Sequence, residues 1–404
     1  MEDTLIYDWN TIEGPPPARE RRIELNDETL RDGLQSPSIK NPSIDAKIRI
    51  LHLIDELGID AADIGLPGAG PHVVEHTTRL AEEIVNAGLS VRPNCAARTV
   101  LADVRPIVEI SQRVGIPIEA CTFIGSSPIR QHTEDWSIEM MLRSTEEAVS
   151  FVTREGLPVM YVTEDTIRAH PETLRLLFKA AIDAGAGRLC LCDTVGHATP
   201  AGVKALIHWT KRLVDELGAD VRIDWHGHQD RGLGVINAIA AVEAGADRVH
   251  GTALGVGERV GNTSMDQLIV NLRLMGYIDN DLTKIGEYCE AMAEAIGVPI
   301  PANYPVVGAD AFRTGTGVHA AAVIKAFRRG DTHLADMVYS GVPAHLVGRQ
   351  QSIEVGPMSG KSNVVFWLEQ HGVAPTDEMV DRIFQSAKRS NTILRDDEIL
   401  ALVH

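Results

Sequence analysis

The chain has 404 residues, a formal net charge of −18 at pH 7 and 44% apolar residues. It can therefore bury a large core, and it exceeds the roughly 250 residues that one α/β barrel needs, so a second region is expected. The negative charge argues against a nucleic-acid partner or an anionic membrane surface, since both require basic patches on the protein.

The N-terminal residues do not resemble a secretory signal peptide. Met1 to Thr4 lack the basic and apolar stretches of a signal peptide, and no apolar run of the chain approaches membrane length. Five cysteines without a disulfide-scaffold spacing suit a reducing compartment. We therefore expect a cytoplasmic protein. Residues 1–20, which contain Pro15 to Pro17, are expected to form an extension outside the catalytic region.

A helical pattern that ends at a glycine and leads into an apolar, β-branched run recurs along the chain. Each glycine suits the left-handed conformation that ends a helix, and short loops of this kind lead into parallel strands. With an opening strand near 22–26, these junctions predict eight strands and a (β/α)₈ barrel over residues 21–295. The junction glycines are Gly58, Gly88, Gly115, Gly156, Gly185, Gly218 and Gly245, and the other strands are expected near 60–65, 90–95, 117–123, 158–163, 188–193, 222–228 and 248–253.

A doubly wound open sheet is the alternative to the barrel. The side chains that could take part in catalysis or metal binding follow strands one, five, six, seven and eight. Only closure of the sheet gathers the ends of all these strands around one mouth, and we therefore favour the barrel.

The loop after the first strand is rich in charge. It reads Asp-Glu-Thr-Leu-Arg-Asp-Gly over residues 27–33, and at a barrel mouth it can place the Asp32 carboxylate on a metal and the Arg31 guanidinium beside it. A solvated turn closed by Gly33 is the alternative.

Two histidines end the seventh predicted strand. Side chains at positions i and i+2 of a strand point to the same face, so His226 and His228 can converge on one ion, and a carboxylate from another strand end could complete the set of ligands. Paired histidines also occur in strands for packing alone. Cys190 and Cys192 likewise share a strand face, but no second Cys/His pair lies at a zinc-site spacing, and we interpret them as small buried residues.

The loop after the eighth strand, residues 255–262, carries three glycines. Their spacing is wrong for a dinucleotide fingerprint, and the loop follows the last strand instead of opening a first βαβ unit. A tight loop that aims Glu258, Arg259 and the Asn262 amide oxygen inward is the interpretation we favour.

Together, the segments 29–33, 226–230 and 257–262 resemble the metal-dependent TIM-barrel family of Claisen condensing enzymes and lyases, the DRE-TIM metallolyases. This family includes 2-isopropylmalate, homocitrate and citramalate synthases and hydroxymethylglutaryl-CoA lyase. The resemblance extends from residue 22 to about 404. Departures from the pattern more usual in the synthases occur at Leu34, which is more typical of the lyases, and at Gly227, Gln229 and Met358.

The resemblance implies roles for individual residues. Asp32, His226, His228 and Asn262 resemble ligands of a divalent metal ion, which could be Zn²⁺, Mn²⁺ or Mg²⁺. Arg31 resembles the catalytic arginine, with Gln35 as its neighbour in the mouth. Thr194 lies where the family contacts the oxo-acid carboxylate. Glu164, followed by Arg168, resembles the glutamate that lines the side-chain pocket, and His132 lies in the segment that flanks the site.

Residues beyond the barrel resemble the accessory regions of the synthases. The resemblance implies two small, mostly helical subdomains, over 296–330 and 331–404, and a homodimer in which His319 reaches the partner's active site. The regulatory domain of long isopropylmalate synthases is expected to be missing. The expected activity is condensation of acetyl-CoA with a 2-oxo acid, with 2-oxoisovalerate as the first candidate. Citramalate or homocitrate synthesis, a carbon–carbon lyase and a non-catalytic barrel are the alternatives.

Overall fold

The structure is a computed structural model that describes residues 5–12 and 22–403. Eight parallel strands close into a barrel in chain order, which confirms the predicted (β/α)₈ fold. β3 continues three residues beyond its expected end. The strands are β1 Glu24–Asp27, β2 Ala61–Asp63, β3 Arg92–Arg98, β4 Glu119–Gly125, β5 Val159–Glu164, β6 Arg188–Asp193, β7 Arg222–Gly227 and β8 Arg248–Gly251.

Helices follow the strands of the barrel and cover its outer face with their apolar sides. The first begins at a serine cap, since the Ser43 side chain accepts a hydrogen bond from the Ala46 amide. The helices of the barrel region are α1 Ile44–Glu56, α2 Pro71–Ala87, α3 Leu101–Val114, α4 Pro128–Glu134, α5 Ile138–Arg154, α6 Pro171–Asp183, α7 Pro200–Glu216, α8 Gly234–Ala244, α9 Met265–Leu274 and α10 Ile285–Ile296.

The junction glycines behave as the repeat predicts. All seven have positive φ, as at Gly88, where φ is 67° and the amide bonds back to the last turn of α2. This conformation is nearly free for glycine and costly for residues with a Cβ. Each helix therefore ends at a defined residue, and the next strand starts in register.

The amino-terminal ends of the strands hold a buried ionic network. Arg188 and Arg248 both contact the Asp224 carboxylate, at 2.9 and 2.5 Å. Arg248 also donates to Glu119, and Arg188 to Glu24. Buried charges are tolerated when they are paired in this way. The network fills the end of the barrel interior opposite the catalytic candidates and keeps Asp224 in one position.

The described residues divide into two compact units. The first ends at Asn280 and resumes over Tyr288–Val298, and the second comprises Asp281–Glu287 and the residues from Pro299 onward. The second unit contains a short parallel pair of strands, β9 Arg313–Thr314 and β10 Ser352–Ile353. Its helices are α11 Gly317–Arg328, α12 Thr332–Met337, α13 Lys361–Gln370, α14 Asp377–Arg389 and α15 Asp396–Leu400.

The second unit packs around two buried apolar clusters. One includes Val364, Leu368 and Ile383, and the other includes Val323, Ile324 and Phe366. The expected division into subdomains over 296–330 and 331–404 stays a prediction.

Of the expected N-terminal extension, residues 1–4 and 13–20 lie outside the described residues, and with them Pro15 to Pro17. The described part contains a short 3₁₀ helix, Trp9–Thr11, and exposes Leu5, Tyr7 and Trp9. In the described part of the chain, no helix is both long and apolar enough to span a membrane.

Candidate metal and substrate site

The loop after β1 folds back on itself and buries its acidic residues. The Glu28 carbonyl accepts hydrogen bonds from the Arg31 and Gly33 amides, at 3.2 and 3.0 Å. Asp32 then opens a short 3₁₀ helix, Asp32–Gln35, and is only 4% exposed. The local chain folding therefore presents Asp32 as a fixed, buried carboxylate, which excludes the solvated-turn alternative.

The end of β7 places both histidines in the same mouth. His226 and His228 are buried, and their ring centroids lie 5.1 Å apart. The His228 amide donates to the Asp193 carbonyl at 3.1 Å, and His228 forms an isolated bridge with Asn262. The backbone of three neighbouring strand ends therefore fixes the positions of these side chains.

One oxygen of Asp32 is the point on which these groups converge. His226 Nε2 and His228 Nε2 each lie 3.8 Å from Asp32 Oδ2. The Asn262 amide nitrogen lies 2.5 Å from the same oxygen. The imidazole distances are too long for hydrogen bonds. Two imidazole nitrogens, a carboxylate and an amide therefore surround a small gap.

The glycines of the loop after β8 allow Asn262 to reach this point. Gly261 has φ of +103°, and a Cβ there would lie 1.8 Å from the Gly255 carbonyl oxygen. A Cβ on Gly257 would lie 1.9 Å from Asn262 Oδ1. The glycines of this loop therefore allow close packing around Asn262.

Arg31 lies beside the gap and is held by carboxylates. Its Nη1 donates to Asp32 Oδ1 and its Nε to Asp63 Oδ2, both at 2.7 Å. Its Nη2 is 4.0 Å from Glu28 Oε1. Burial raises the pKa of Asp63, and Arg31 offsets this effect only in part, so the pKa is about 6.

A second acidic and histidine cluster adjoins the first and shares His226 with it. Glu28 Oε2 lies 2.7 Å from His226 Nδ1, and Glu28 Oε1 lies 2.9 Å from His250 Nδ1. Within the described residues, two groups have the composition and spacing to hold a metal ion: Asp32, His226 and His228, and Glu28, His226 and His250.

The two predicted histidine ligands have opposite proton affinities. Burial alone would lower the pKa of His226, but the charge of Glu28 outweighs it and the pKa is about 10. Burial and the neighbouring His226 together lower the pKa of His228 to about 4. At neutral pH, His228 therefore offers a free lone pair, whereas a cation at His226 has to displace a proton.

A cavity of about 260 Å³ opens over the gap. Seven of the predicted site residues line it: Arg31, Asp32, Gln35, Glu164, Thr194, His226 and His228. The rest of its wall is largely apolar, with Glu28, Asp63, Glu258 and Arg259 as further charged members; the other lining residues are Ala96, Cys121, Phe123, Met160, Val162, Cys190 and Cys192.

Thr194 and Glu164 lie at the ends of β6 and β5. Thr194 Oγ1 accepts a hydrogen bond from the Asp165 amide at 2.8 Å. Burial raises the pKa of Glu164, and the charges of Arg130 and Arg31 oppose this shift. Glu164 can therefore exchange a proton at a higher pH than an exposed glutamate.

Of the predicted residues other than metal ligands, three are not among the described residues that line the cavity. His132 is exposed on α4, and Arg168 forms a two-point contact with Asp165 at 2.7 Å; neither is among the residues that line the cavity. His319 is exposed in the second unit, near the start of α11, where its ring packs against Tyr339 with centroids 4.4 Å apart.

The sequence analysis missed Glu28, Asp63 and His250. Glu28 directly follows β1, Asp63 ends β2 and His250 is the penultimate residue of β8. All three are therefore close to the carboxyl ends of barrel strands, where polar side chains face the functional mouth. That rule could have identified Asp63 and His250 as members of the site.

Comparison with known proteins identifies the family of the chain. The HMGL-like family matches residues 22–292. A homocitrate synthase from Methanopyrus kandleri is 32% identical over 377 residues, covering 91% of this chain and 89% of the relative. A 2-isopropylmalate synthase from Sulfolobus acidocaldarius is 32% identical over 371 residues, covering 91% of this chain and 90% of the relative.

Solved structures with the same fold are also similar to this chain. A hydroxymethylglutaryl-CoA lyase from Pseudomonas aeruginosa superposes with a TM-score of 0.56 at 19% identity, covering 68% of this chain and 93% of that chain. The chain belongs to the HMGL-like family, and the resemblance drawn from its motifs is confirmed. Relatives that carry different synthase names match it equally well, so identity alone does not select a substrate.

Proposed function

We propose that this protein condenses acetyl-CoA with a 2-oxo acid at the barrel mouth, with the help of a divalent metal ion. The observation that carries the proposal is the convergence of the Asp32, His226 and His228 ligand atoms, all within 4.8 Å of one another, beside Arg31. Similarity over nine tenths of the chain to homocitrate and 2-isopropylmalate synthases supports the reaction class.

The residues present fit a metal ion. Asn262 Oδ1 is buried and has no hydrogen-bond partner among the described residues, although its amide nitrogen contacts Asp32. Rotation of this amide would turn its oxygen towards the gap. Imidazole, carboxylate and amide donors suit Zn²⁺, Mn²⁺ or Mg²⁺. Bound there, the ion would supply Lewis-acid polarisation of the keto group of the oxo acid.

The cluster of Asp32, His226 and His228 is the better ligand set of the two. In the other cluster, both oxygens of Glu28 are already engaged, at 2.7 and 2.9 Å, with the imidazoles of His226 and His250. A cation there would displace two buried hydrogen bonds. At Asp32 Oδ2, it would replace only the contact from the Asn262 amide nitrogen, and the two imidazoles approach this oxygen without bonding to it.

Arg31 has the geometry of an electrophilic group. Its guanidinium is held between Asp32 and Asp63 and lines the cavity, so it can donate to the oxygen on which negative charge develops during carbon–carbon bond formation. Thr194 and Gln35 line the same cavity and would bind the oxo-acid carboxylate. Glu164 would face its side chain.

The reaction joins the acetyl methyl carbon to the keto carbon, and water then cleaves the thioester carbon–sulfur bond and releases free coenzyme A. A base has to remove a methyl proton first. His319 or a cavity carboxylate would take this role. His319 would act across a homodimer, each site being completed by the partner. 2-Oxoisovalerate, which gives 2-isopropylmalate, is the first candidate substrate, and pyruvate and 2-oxoglutarate are the alternatives.

A thiol-release assay tests the proposal. Purified protein is incubated with acetyl-CoA, Mn²⁺ or Zn²⁺ and each of a panel of 2-oxo acids, and free coenzyme A is measured. We expect release that depends on both the oxo acid and the metal and is lost in Asp32→Ala. No release with any oxo acid, together with cleavage of hydroxymethylglutaryl-CoA, would assign the chain to the lyase reaction instead.

A further inference from the structure

Glu28, a residue only 4% exposed, lines the cavity and contacts two histidines, His226 and His250. Its carboxylate oxygens lie 2.7 Å from His226 Nδ1 and 2.9 Å from His250 Nδ1. A carboxylate offers only hydrogen-bond acceptors, so each imidazole donates from Nδ1. In the neutral form of His226 this contact places the single ring proton on Nδ1. The Nε2 lone pair is then left on the side of Asp32.

His250 continues the contact chain into the core of the barrel. Its Nε2 lies 3.2 Å from Asp224 Oδ2, so both of its ring nitrogens face carboxylates. Asp224 is fully buried and is held by Arg188 and Arg248. Because both of its ring nitrogens are engaged, His250 is held in one ring orientation. It therefore fixes the position of the Glu28 carboxylate that it contacts.

We propose that Glu28 is a positioning residue, which sets the tautomer and ring orientation of the metal ligand His226 through a contact anchored at His250. This inference rests on the proposed metal site at Asp32. A partner that orients a ligating imidazole commonly changes metal affinity 10–100-fold, because the correct tautomer and direction are otherwise only part of the population.

The test is metal affinity in Glu28→Gln, measured by competition of Zn²⁺ or Mn²⁺, each added alone, with a chromogenic chelator. Glutamine keeps the size of the side chain, but one of the two acceptor oxygens that face His226 and His250 becomes an NH2 group, which can only donate. Because Glu28 also raises the pKa of His226, affinities are measured at several pH values and compared after allowance for the displaced proton. We expect this affinity to fall by about 10–100-fold. Unchanged affinity would overturn the proposal.

Asp27→Asn is the matched control. Asp27 is the neighbouring buried carboxylate, but it contacts the Thr29 amide and the Tyr288 hydroxyl and, within the described residues, no imidazole. Its replacement removes the same charge from the same loop, and metal affinity should stay within about twofold of wild type. An equal loss of affinity in both variants would indicate a general effect of charge and would contradict a specific role of Glu28.

A second measurement needs neither the Glu28 variant nor bound metal. In protein labelled with ¹⁵N-histidine, long-range nitrogen–proton spectra report which ring nitrogens of His226 carry a proton as the pH is raised, and the signal is assigned from its loss in His226→Asn. At neutral pH both ring nitrogens of the metal-free wild type should be protonated, and when the ring becomes neutral the remaining proton should lie on Nδ1. Protonation at Nε2 alone would overturn the proposal.

The two experiments separate the inference from the function on which it rests. If the wild type binds neither metal, the proposed metal site fails, whereas the tautomer of His226 still reports on Glu28. If the wild type binds metal and His228→Ala binds it equally tightly, the cation occupies Glu28, His226 and His250 instead. Glu28 would then be a ligand, and its positioning role would be wrong.

Discussion

Arg31 Nε donates a 2.7 Å hydrogen bond to Asp63 Oδ2, which joins the loop after β1 to the last residue of β2. Asp32 holds Nη1 of the same guanidinium at 2.7 Å. The guanidinium of Arg31, which lines the cavity, is therefore fixed from two directions. Preorganised donors of this kind stabilise developing charge without the cost of reorientation during the reaction.

Arg31→Lys should lower kcat by about 10²–10³-fold, because an ammonium keeps the charge but cannot engage Asp32, Asp63 and substrate as a planar fork does. Steady-state kinetics of the thiol-release reaction measure this loss. Arg98→Lys is a matched control, since Arg98 bonds Asp103 at two points outside the cavity and should leave kcat within about twofold. Equal effects of the two substitutions would contradict an electrophilic role for Arg31.

The sequence predicted the barrel because its signals are local. Each glycine that ends a helix depends only on the neighbouring turn, and a His-x-His step on a strand places both rings on one face wherever the strand lies. His226 and His228 therefore lie side by side, with ring centroids 5.1 Å apart. Asp32 joins them because the strand ends of a closed barrel share one mouth.

Contacts that depend on closure could not be predicted in this way. Glu28 meets His250 across 222 residues, because β1 pairs with β8 in the register that sets Asn26 opposite His250. No local pattern fixes that register. His132 and Arg168 show a second limit of prediction from sequence. Each follows a barrel strand in the chain, but this position does not determine in which direction an exposed side chain points.

His228→Ala should abolish turnover and leave a folded protein, because His228 faces the functional end of the barrel and not its stabilising end. We expect metal content after gel filtration to fall with activity, while circular dichroism stays unchanged. His208→Ala, exposed on α7, serves as the control for loss of an imidazole. Full activity after verified removal of metal with EDTA would exclude the metal hypothesis altogether.

Mixed dimers test whether His319 completes the partner's site. His319→Ala and Asp32→Ala chains should each be inactive alone. If the proposed arrangement is right, mixing them restores part of the activity, since one site of each heterodimer then has both groups. The measurement is thiol release by heterodimers purified with two affinity tags. Heterodimers without activity would argue against a site shared between chains.

Glu164→Ala should reorder the preferred 2-oxo acids. Glu164 lines the cavity at the end of β5, and only the oxo acid is expected to touch it. Pocket changes of this size are worth about 1–3 kcal/mol, so ratios of kcat/KM between oxo acids should shift about tenfold or more. The KM for acetyl-CoA is the internal control. An unchanged ranking would remove Glu164 from the specificity pocket.

Asp27→Asn should change the pH dependence of stability. Burial raises the pKa of Asp27 to about 6, although Tyr288 and Thr29 donate hydrogen bonds to it. The folded state therefore holds this proton more tightly than the unfolded chain, and the stability it contributes at low pH is lost as the pH rises through 6. A shift of about two pKa units corresponds to about 3 kcal/mol.

Asparagine cannot ionise, so the variant does not lose this stability as the pH rises. The free energy of unfolding of Asp27→Asn, relative to that of the wild type, should therefore increase by up to about 3 kcal/mol between pH 4 and pH 7. The substitution itself carries a cost that is the same at every pH, and the comparison therefore depends on the difference between the two pH profiles and not on either value alone. Urea unfolding at fixed protein concentration measures both profiles. Parallel profiles would show that Asp27 does not titrate in this range, and that its hydrogen bonds to Tyr288 and Thr29 outweigh the effect of burial.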